Sequence, residues 1–464
     1  MLSRNARPTC KLGIALTASY VPPADLWEVN RALQLDEPLE GPTDARWVDT
    51  EAARGEYSLR SLYRALGVEG ADPDSPRSLR QAPTRGYYLF CGHRGCGKST
   101  ELRRIRNDLH APDIYYVVFA DAARDLDPNN LRYQDALLHL AATLTRQIQE
   151  DGVFVPSVHF ERLESWFDQR VREQSEIAEL TSQVKVGAEL GAGLPYLGKL
   201  LAAFSTAFKT NATYKETLRR ALKNYFSGFA DAFNHLIEAV EDALLDTGKG
   251  SRILFMVDGT DRLSEEDAHS FFITDVRQLQ QVKGLFVYCA PIHLIYEAAI
   301  VRQSFHVFRL PMIRIRDAHE SVNETGRLAM RRLLHLRAAR DLFDDGVADY
   351  LIDHSGGHPR DLLRLLQLAF QYAEHDRFDP DAARRAVRET ATAFRRILEP
   401  DDYRLMAAID SGMGQPSSSE RTRHLLYNLA LLEYNDYFWR SHPAVRLNDA
   451  YRDAMRAIKE ARNG

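Results

Sequence analysis

Residues 92 to 99 read Gly92-His93-Arg94-Gly95-Cys96-Gly97-Lys98-Ser99, and Thr100 follows. Glycines at the first, fourth and sixth positions free the backbone to turn its N–H groups inward around an anion. The spacing is G-x-x-x-x-G-K-[ST]: loop amides cradle phosphate oxygens, the lysine reaches the β- and γ-phosphates, and the serine hydroxyl is a Mg²⁺ ligand. His93, Arg94 and Cys96 fill the positions that the pattern leaves free. Such a loop needs a strand before it and a helix after it. Tyr87 to Cys91 is an apolar, aromatic run that reads as the strand, and Ser99-Thr100-Glu101-Leu102 opens the helix. The helix N-terminus would add its positive end to the phosphate site. The expected ligand is a nucleotide with Mg²⁺.

A second acid-bearing element lies about 160 residues downstream. Ile253-Leu254-Phe255-Met256-Val257 is a buried-strand run that ends on Asp258. A carboxylate at the end of a strand beside the loop's own strand would hold Mg²⁺ with Ser99. Asp261 follows, with three roles open: orienting or deprotonating an attacking water, capping the next helix, or pairing with Arg262.

The elements that must position these groups alternate. Apolar runs at Ile114–Asp121, Ile253–Asp258, Leu285–Pro291 and Phe308–Ile315 are separated by helical patterns, among them Tyr133–Gln149 and Tyr214–Leu245. Strands alternating with helices predict an α/β fold: a parallel sheet with helices on both faces. The 464 residues divide into an N-terminal arm (1–82), the nucleotide core (83–317) with a helical insert at about 150–250, a helical segment (318–398) and a C-terminal part (399–464). The arm carries helix-like patches at Asp25–Leu33 and Ser58–Leu66. Tyr434 to Trp439 reads as a hairpin.

Composition narrows the class. The chain is 45% hydrophobic and 27% charged, which suits a large folded core. The net charge of -5 argues against a protein that coats nucleic acid. The four cysteines, Cys10, Cys91, Cys96 and Cys289, show neither zinc spacing nor a disulfide framework, as expected for a reducing cytoplasm. The least polar stretch, Val186–Phe204, holds Glu189, Lys199 and several glycines, so no membrane span is expected.

With these residues in view, Val257-Asp258-Gly259-Thr260-Asp261-Arg262 resembles the hhhDGxD[ED] form of STAND ATPases and of their AAA+ relatives, the initiator-type ATPases. Ser355-Gly356-Gly357-His358-Pro359-Arg360-Asp361-Leu362 is similar to the glycine-proline-arginine turn that opens a lid helix in those families. The resemblance implies ATP or ADP as the nucleotide, Pro359 near the adenine and Arg360 on the γ-phosphate. Leu425–Tyr434 with Trp439–Arg446 resembles the winged-helix domain that follows the lid, and His442 would then meet the β-phosphate of ADP. Pro443 stands where those families usually carry an aspartate. Arg302 lies near the place of an AAA+ arginine finger, with Arg309 and Arg314 close by. The strand Leu285–Pro291 ends Tyr288-Cys289-Ala290-Pro291, without the polar sensor residue of those families, which implies slow hydrolysis. The resemblance spans about residues 85 to 450.

A nucleotide core followed by a lid and a winged helix implies a switch ATPase that acts on a partner protein, an effector chain or a homo- or hetero-oligomer. At family level such architectures are frequent in prokaryotic antiphage defence. The alternative is a DNA-loading or target-selecting AAA+ ATPase. Residues 399–464 hold nine Lys/Arg against ten Asp/Glu, which disfavours a phosphate-clamping winged helix. A metabolic phosphotransferase would leave the lid and C-terminal parts without a role.

Overall fold

The computed structural model describes residues 20–70, 77–127, 130–171, 197–201, 212–297, 299–435 and 438–463. Cys10, most of the Val186–Phe204 stretch and the tip of the expected hairpin lie outside the described residues. Among those described, no helix is long and apolar enough to cross a membrane.

Five parallel strands form the central sheet: β1 (Gly86–Gly92), β2 (Tyr116–Asp121), β3 (Ile253–Asp258), β4 (Leu285–Pro291) and β5 (His306–Arg309). Their order is β2-β3-β4-β1-β5. β1, β3 and β4 are buried at every residue, as strands covered on both faces must be. The expected α/β parallel sheet with flanking helices is therefore present. One expectation is corrected. β3 does not adjoin β1; β4 lies between them, and Leu285 pairs with both Gly86 and Leu254. Aromatic packing holds this order. Phe286 of β4 stacks on Phe255 of β3 at 4.9 Å and on Tyr87 of β1 at 5.8 Å.

Two element boundaries also differ from expectation. The Phe308–Ile315 strand is observed as His306–Arg309. Pro311 cannot donate to a ladder, and the chain leaves the sheet there. The long helix expected at Tyr214–Leu245 is two helices, Ala212–Asn224 and Phe226–Thr247, with Tyr225 out of helical geometry between them (φ -124, ψ 32). Trp166 Nε1 donates to the Tyr225 carbonyl at 3.3 Å, and its ring meets Phe229 at 5.4 Å. Tertiary packing on the helix Val158–Val171 thus accompanies the break.

Residues beyond the sheet form four helices: Glu324–His335, Val347–Ser355, Pro359–Tyr372 and Pro380–Arg395. Their shared core includes Leu26, Val29 and Leu33 from the N-terminal arm. The arm is thus packed into this helical unit. The C-terminal part has helices Pro400–Asp410, Glu420–Tyr427 and Asp449–Asn463 around an antiparallel pair, β6 (Leu431–Asn435) and β7 (Phe438–Ser441).

Candidate nucleotide-binding cleft

The carboxyl ends of β1 to β4 present Gly92, Asp121, Asp258 and Pro291 along one edge of the sheet. Ligands of open α/β sheets bind at this edge. The loop leaving β1 turns through Gly95 and Gly97, at φ +90 and +106, where other residues are strained. A Cβ on Gly95 would also lie 2.8 Å from Arg360 Cβ and His358 Cε1. The helix Lys98–Leu109 starts behind Gly97 with no side-chain cap, so its first-turn amides are available to an anion.

Lys98 is 3% exposed. Its Nζ donates to the carbonyls of Gly92 at 2.9 Å and His93 at 2.8 Å, and pairs with Asp261 Oδ2 at 2.7 Å. Burial is the largest influence and works against its charge, but the Asp261 carboxylate and the neighbouring Cys96 and Cys289 together raise the lysine pKa. Burial would raise Asp261 in turn, and Lys98 holds it below the usual carboxylate range. Of the roles left open by the sequence, helix capping falls to another residue. Asp261 is on Lys98, and Ser264 caps the next helix through the Asp267 amide at 3.1 Å.

Asp258 is 2% exposed. Its Oδ1 accepts from Ser99 Oγ at 2.9 Å and from the Gly259 amide at 2.8 Å. Burial, then the charges of Asp261 and Asp121, push its pKa up to about 6. Asp258, Asp261 and Cys289 bring ligand atoms within 4.8 Å of one another. Mg²⁺ takes oxygen ligands, so the Ser99 hydroxyl and the Asp258 carboxylate fit it and the thiol does not. Asp121 had no assigned role in the sequence, yet it pairs in register with Asp258. The signal was the same one, an acid ending an apolar run.

Pro359 and Arg360 open the helix Pro359–Tyr372 and line the same cleft as Arg94, Gly95, Cys96 and Thr100. Arg360 donates from Nε to the Leu35 carbonyl at 3.2 Å and pairs through Nη2 with Asp36 at 3.0 Å. Burial lowers its pKa. Thr100 Oγ1 accepts from the Leu39 amide at 3.1 Å. The cleft's lining also includes Leu33, Trp47, Val48, Leu333, Pro359 and Leu363, apolar surface of the kind that takes a planar ring.

The arm's share of this cleft was not legible in the sequence. Arg54, 2% exposed, donates to Thr50 Oγ1 at 3.0 Å, to the Cys96 carbonyl at 2.8 Å and to the Pro311 carbonyl. One arm residue thus braces the loop backbone against the chain that follows β5. No local motif marks it.

Five of the sequence-predicted residues are not among those that line the cleft: Gly92 and Asp258 adjoin it through Lys98 and Ser99, and Arg302, His93 and His442 lie away from it. Arg302 is exposed on the helix Ala299–Ser304 and is not among the lining residues. His93 is buried, and its Nε2 accepts from the Glu433 amide at 2.9 Å. Burial, then His358 and Lys98, depress its pKa to about 3. His442 is also buried and does not line the cleft. Its Nδ1 accepts from the Ala444 amide at 3.1 Å, which leaves Nε2 to donate to Asp361 at 3.2 Å. Its ring packs on Phe394 at 4.9 Å, which fixes it inside the C-terminal seam.

These histidines join the loop to the C-terminal part. His358 Nδ1 accepts from the Asp361 amide at 3.1 Å, so its Nε2 donates to the Arg94 carbonyl at 2.8 Å. Asp361 Oδ2 meets His442. Glu433 offers its amide to His93, its carbonyl to the Met312 amide at 3.3 Å, and its carboxylate to Tyr296 at 2.7 Å and Arg309 at 3.1 Å.

The parallel sheet, the glycine loop between β1 and its helix, and the acid ending β3 define an α/β P-loop fold. No protein-family model matches the chain, and none of the curated proteins matches it. Among solved structures it is similar to the Thermotoga maritima RuvB Holliday junction branch migration motor, at 15% identity and a TM-score of 0.24 over 51% of this chain and 83% of that one. Two single-residue variants of the same protein match at 14% identity and a TM-score of 0.23, over 50% and 83%. The fold assignment rests on the sheet and loop themselves.

Proposed function

We propose that the protein is an ATP-binding switch ATPase of the AAA+ or STAND type, whose nucleotide state sets how its C-terminal part sits on the core. The observation that carries this reading is the shared cleft. P-loop residues 94–99, Asp261, Pro359, Arg360 and the arm all line it, and Asp258 reaches it through Ser99. In this reading Lys98 and the loop amides bind the β- and γ-phosphates, Arg360 orients the terminal phosphate, and the apolar part of the lining takes the adenine. Mg²⁺, held by Ser99 and Asp258, would neutralise charge on the phosphates. Asp261, the acid the sequence offers for an attacking water, is committed to Lys98, which supports slow basal turnover.

The histidine contacts give the switch a route. Any phosphate-driven shift of the 92–97 backbone moves acceptors and donors that β6 and the Pro359–Tyr372 helix also hold. ATP and ADP then bias two arrangements only through contacts that differ between them. The helices and hairpin of residues 399–464 would act as the winged-helix domain. The product of the switch is a conformational state presented to a partner protein or a neighbouring copy of the chain. The link to antiphage defence rests on the family resemblance alone. Equilibrium titration of the purified chain with ATP and ADP, each with Mg²⁺, tests the reading. Binding of both, lost in Lys98→Ala, supports it; no binding of either ends it.

A further inference from the structure

One segment of the arm lines the cleft. At one end, the Leu35 carbonyl and the Asp36 carboxylate are held by Arg360, at 3.2 Å and 3.0 Å. Arg262 also approaches the same Asp36 oxygen, at 4.0 Å. At the other end, the Leu39 amide donates to Thr100 Oγ1 at 3.1 Å, and the Pro38 carbonyl accepts from Arg103 at 3.3 Å. Glu40 pairs with Arg103 at 2.5 Å and with Arg106 at 2.7 Å. Residues 35–40 thus tie the start of the Pro359–Tyr372 helix to the start of the P-loop helix.

The chemistry at the Arg360 end is that of an anion site already holding an anion. Arg360 and Arg262 both line the cleft, and the negative group between them is a side chain from the protein's own arm. A guanidinium fork suits a carboxylate and a phosphate equally well. Asp36 and a terminal phosphate therefore compete for the same donors.

We propose that Asp36 is a specificity-setting residue: it occupies Arg360 as an internal substitute for the γ-phosphate, and so sets how strongly the protein prefers ATP over ADP. This rests on the reading that the cleft holds a nucleotide whose terminal phosphate meets Arg360. ADP has no γ-phosphate and leaves the Asp36–Arg360 pair in place. ATP gains Arg360 only by displacing Asp36. The Asp36 side chain is 69% exposed, so the competition is of the modest size that solvent-screened pairs show.

The test is equilibrium titration of the full chain with ATP and ADP in the presence of Mg²⁺. The proteins are wild type, Asp36→Asn, Glu37→Gln, Arg360→Ala and the double variant Asp36→Asn/Arg360→Ala. Asp36→Asn should tighten ATP by about two- to fivefold and leave ADP unchanged. Glu37 pairs with Arg46, at 3.0 Å, so Glu37→Gln should leave the ATP-to-ADP ratio as in wild type. In the Arg360→Ala background, Asp36→Asn should no longer alter that ratio. Equal changes for both nucleotides, an equal effect of Glu37→Gln, or an effect that survives without Arg360 would each overturn the proposal. Wild-type binding of both nucleotides with no response to Asp36→Asn defeats this proposal and leaves the nucleotide reading standing; no wild-type binding at all defeats both.

Discussion

Asp258→Asn should stabilise the fold and at the same time remove Mg²⁺-dependent turnover. The carboxyl is 2% exposed and sits near Asp261 and Asp121. Raising a carboxyl from its ordinary 3.8 to about 6 means that its ionised form costs the native state about 3 kcal/mol at neutral pH. The sign follows from proton binding. Between about pH 4 and 6 the native state holds a proton that the unfolded chain has released, so stability falls as pH rises through that window. Asparagine keeps an oxygen for Ser99 Oγ and the Gly259 amide, carries no charge and does not titrate. In Mg²⁺-free buffer at pH 7.5, the variant should melt several degrees above wild type, and the difference should close below pH 4. With Mg²⁺ and ATP, its phosphate release should fall to background, because an amide cannot balance the metal's charge. A variant that melts lower at pH 7.5, or that hydrolyses ATP like wild type, would refute the reasoning.

Further outcomes follow from the same contacts. Lys98→Ala leaves Asp261 buried without its partner, so it should lose nucleotide binding and also about 3–5 kcal/mol of stability. Adding Asp261→Asn should restore the melting temperature but not the binding, as calorimetry of the two proteins would show. Arg54→Ala removes the brace on the Cys96 carbonyl and should weaken ATP and ADP alike by about tenfold in equilibrium titration, since hydrogen bonds to a buried charge contribute about 1.5–3 kcal/mol. Arg360→Ala should bind both nucleotides with nearly equal affinity and show the same scattering profile with each. Basal turnover by the isolated chain should be slow, and a steady-state phosphate-release assay giving rapid turnover by a monomer would contradict the Asp261–Lys98 pairing as the resting arrangement.

The P-loop was legible because its chemistry is local. Three glycines, a lysine and a hydroxyl within eight residues state their own geometry. Asp258 was legible because an acid ending a five-residue apolar run marks a strand's carboxyl end. The α/β class followed from runs such as Leu285–Pro291, apolar on both faces. The strand order did not. β3 and β4 are both continuous apolar runs whose pattern does not order them, and in the structure Phe286 of β4 stacks between Phe255 of β3 and Tyr87 of β1. The break at Tyr225 was hidden because helical periodicity continues through it, while the Trp166 contact that accompanies it comes from 59 residues away. Arg54 and Asp36 were invisible for a similar reason. Each lies in an unremarkable arm sequence, and their partners, Cys96 and Arg360, stand 42 and 324 positions further along the chain. His442 was named only through the winged-helix resemblance, and its burial against Phe394 and Asp361 depends on how two units pack.

Hydrogen exchange of the wild-type chain with Mg²⁺-ATP, with Mg²⁺-ADP and without nucleotide tests the switch most directly. Both nucleotides should protect residues 92–100, and ATP and ADP should differ at residues 35–40, at the start of the Pro359–Tyr372 helix and at β6, where Glu433 meets His93. Protection at 92–100 that is identical for the two nucleotides everywhere else would contradict a switch. No protection at 92–100 with either would contradict the cleft itself.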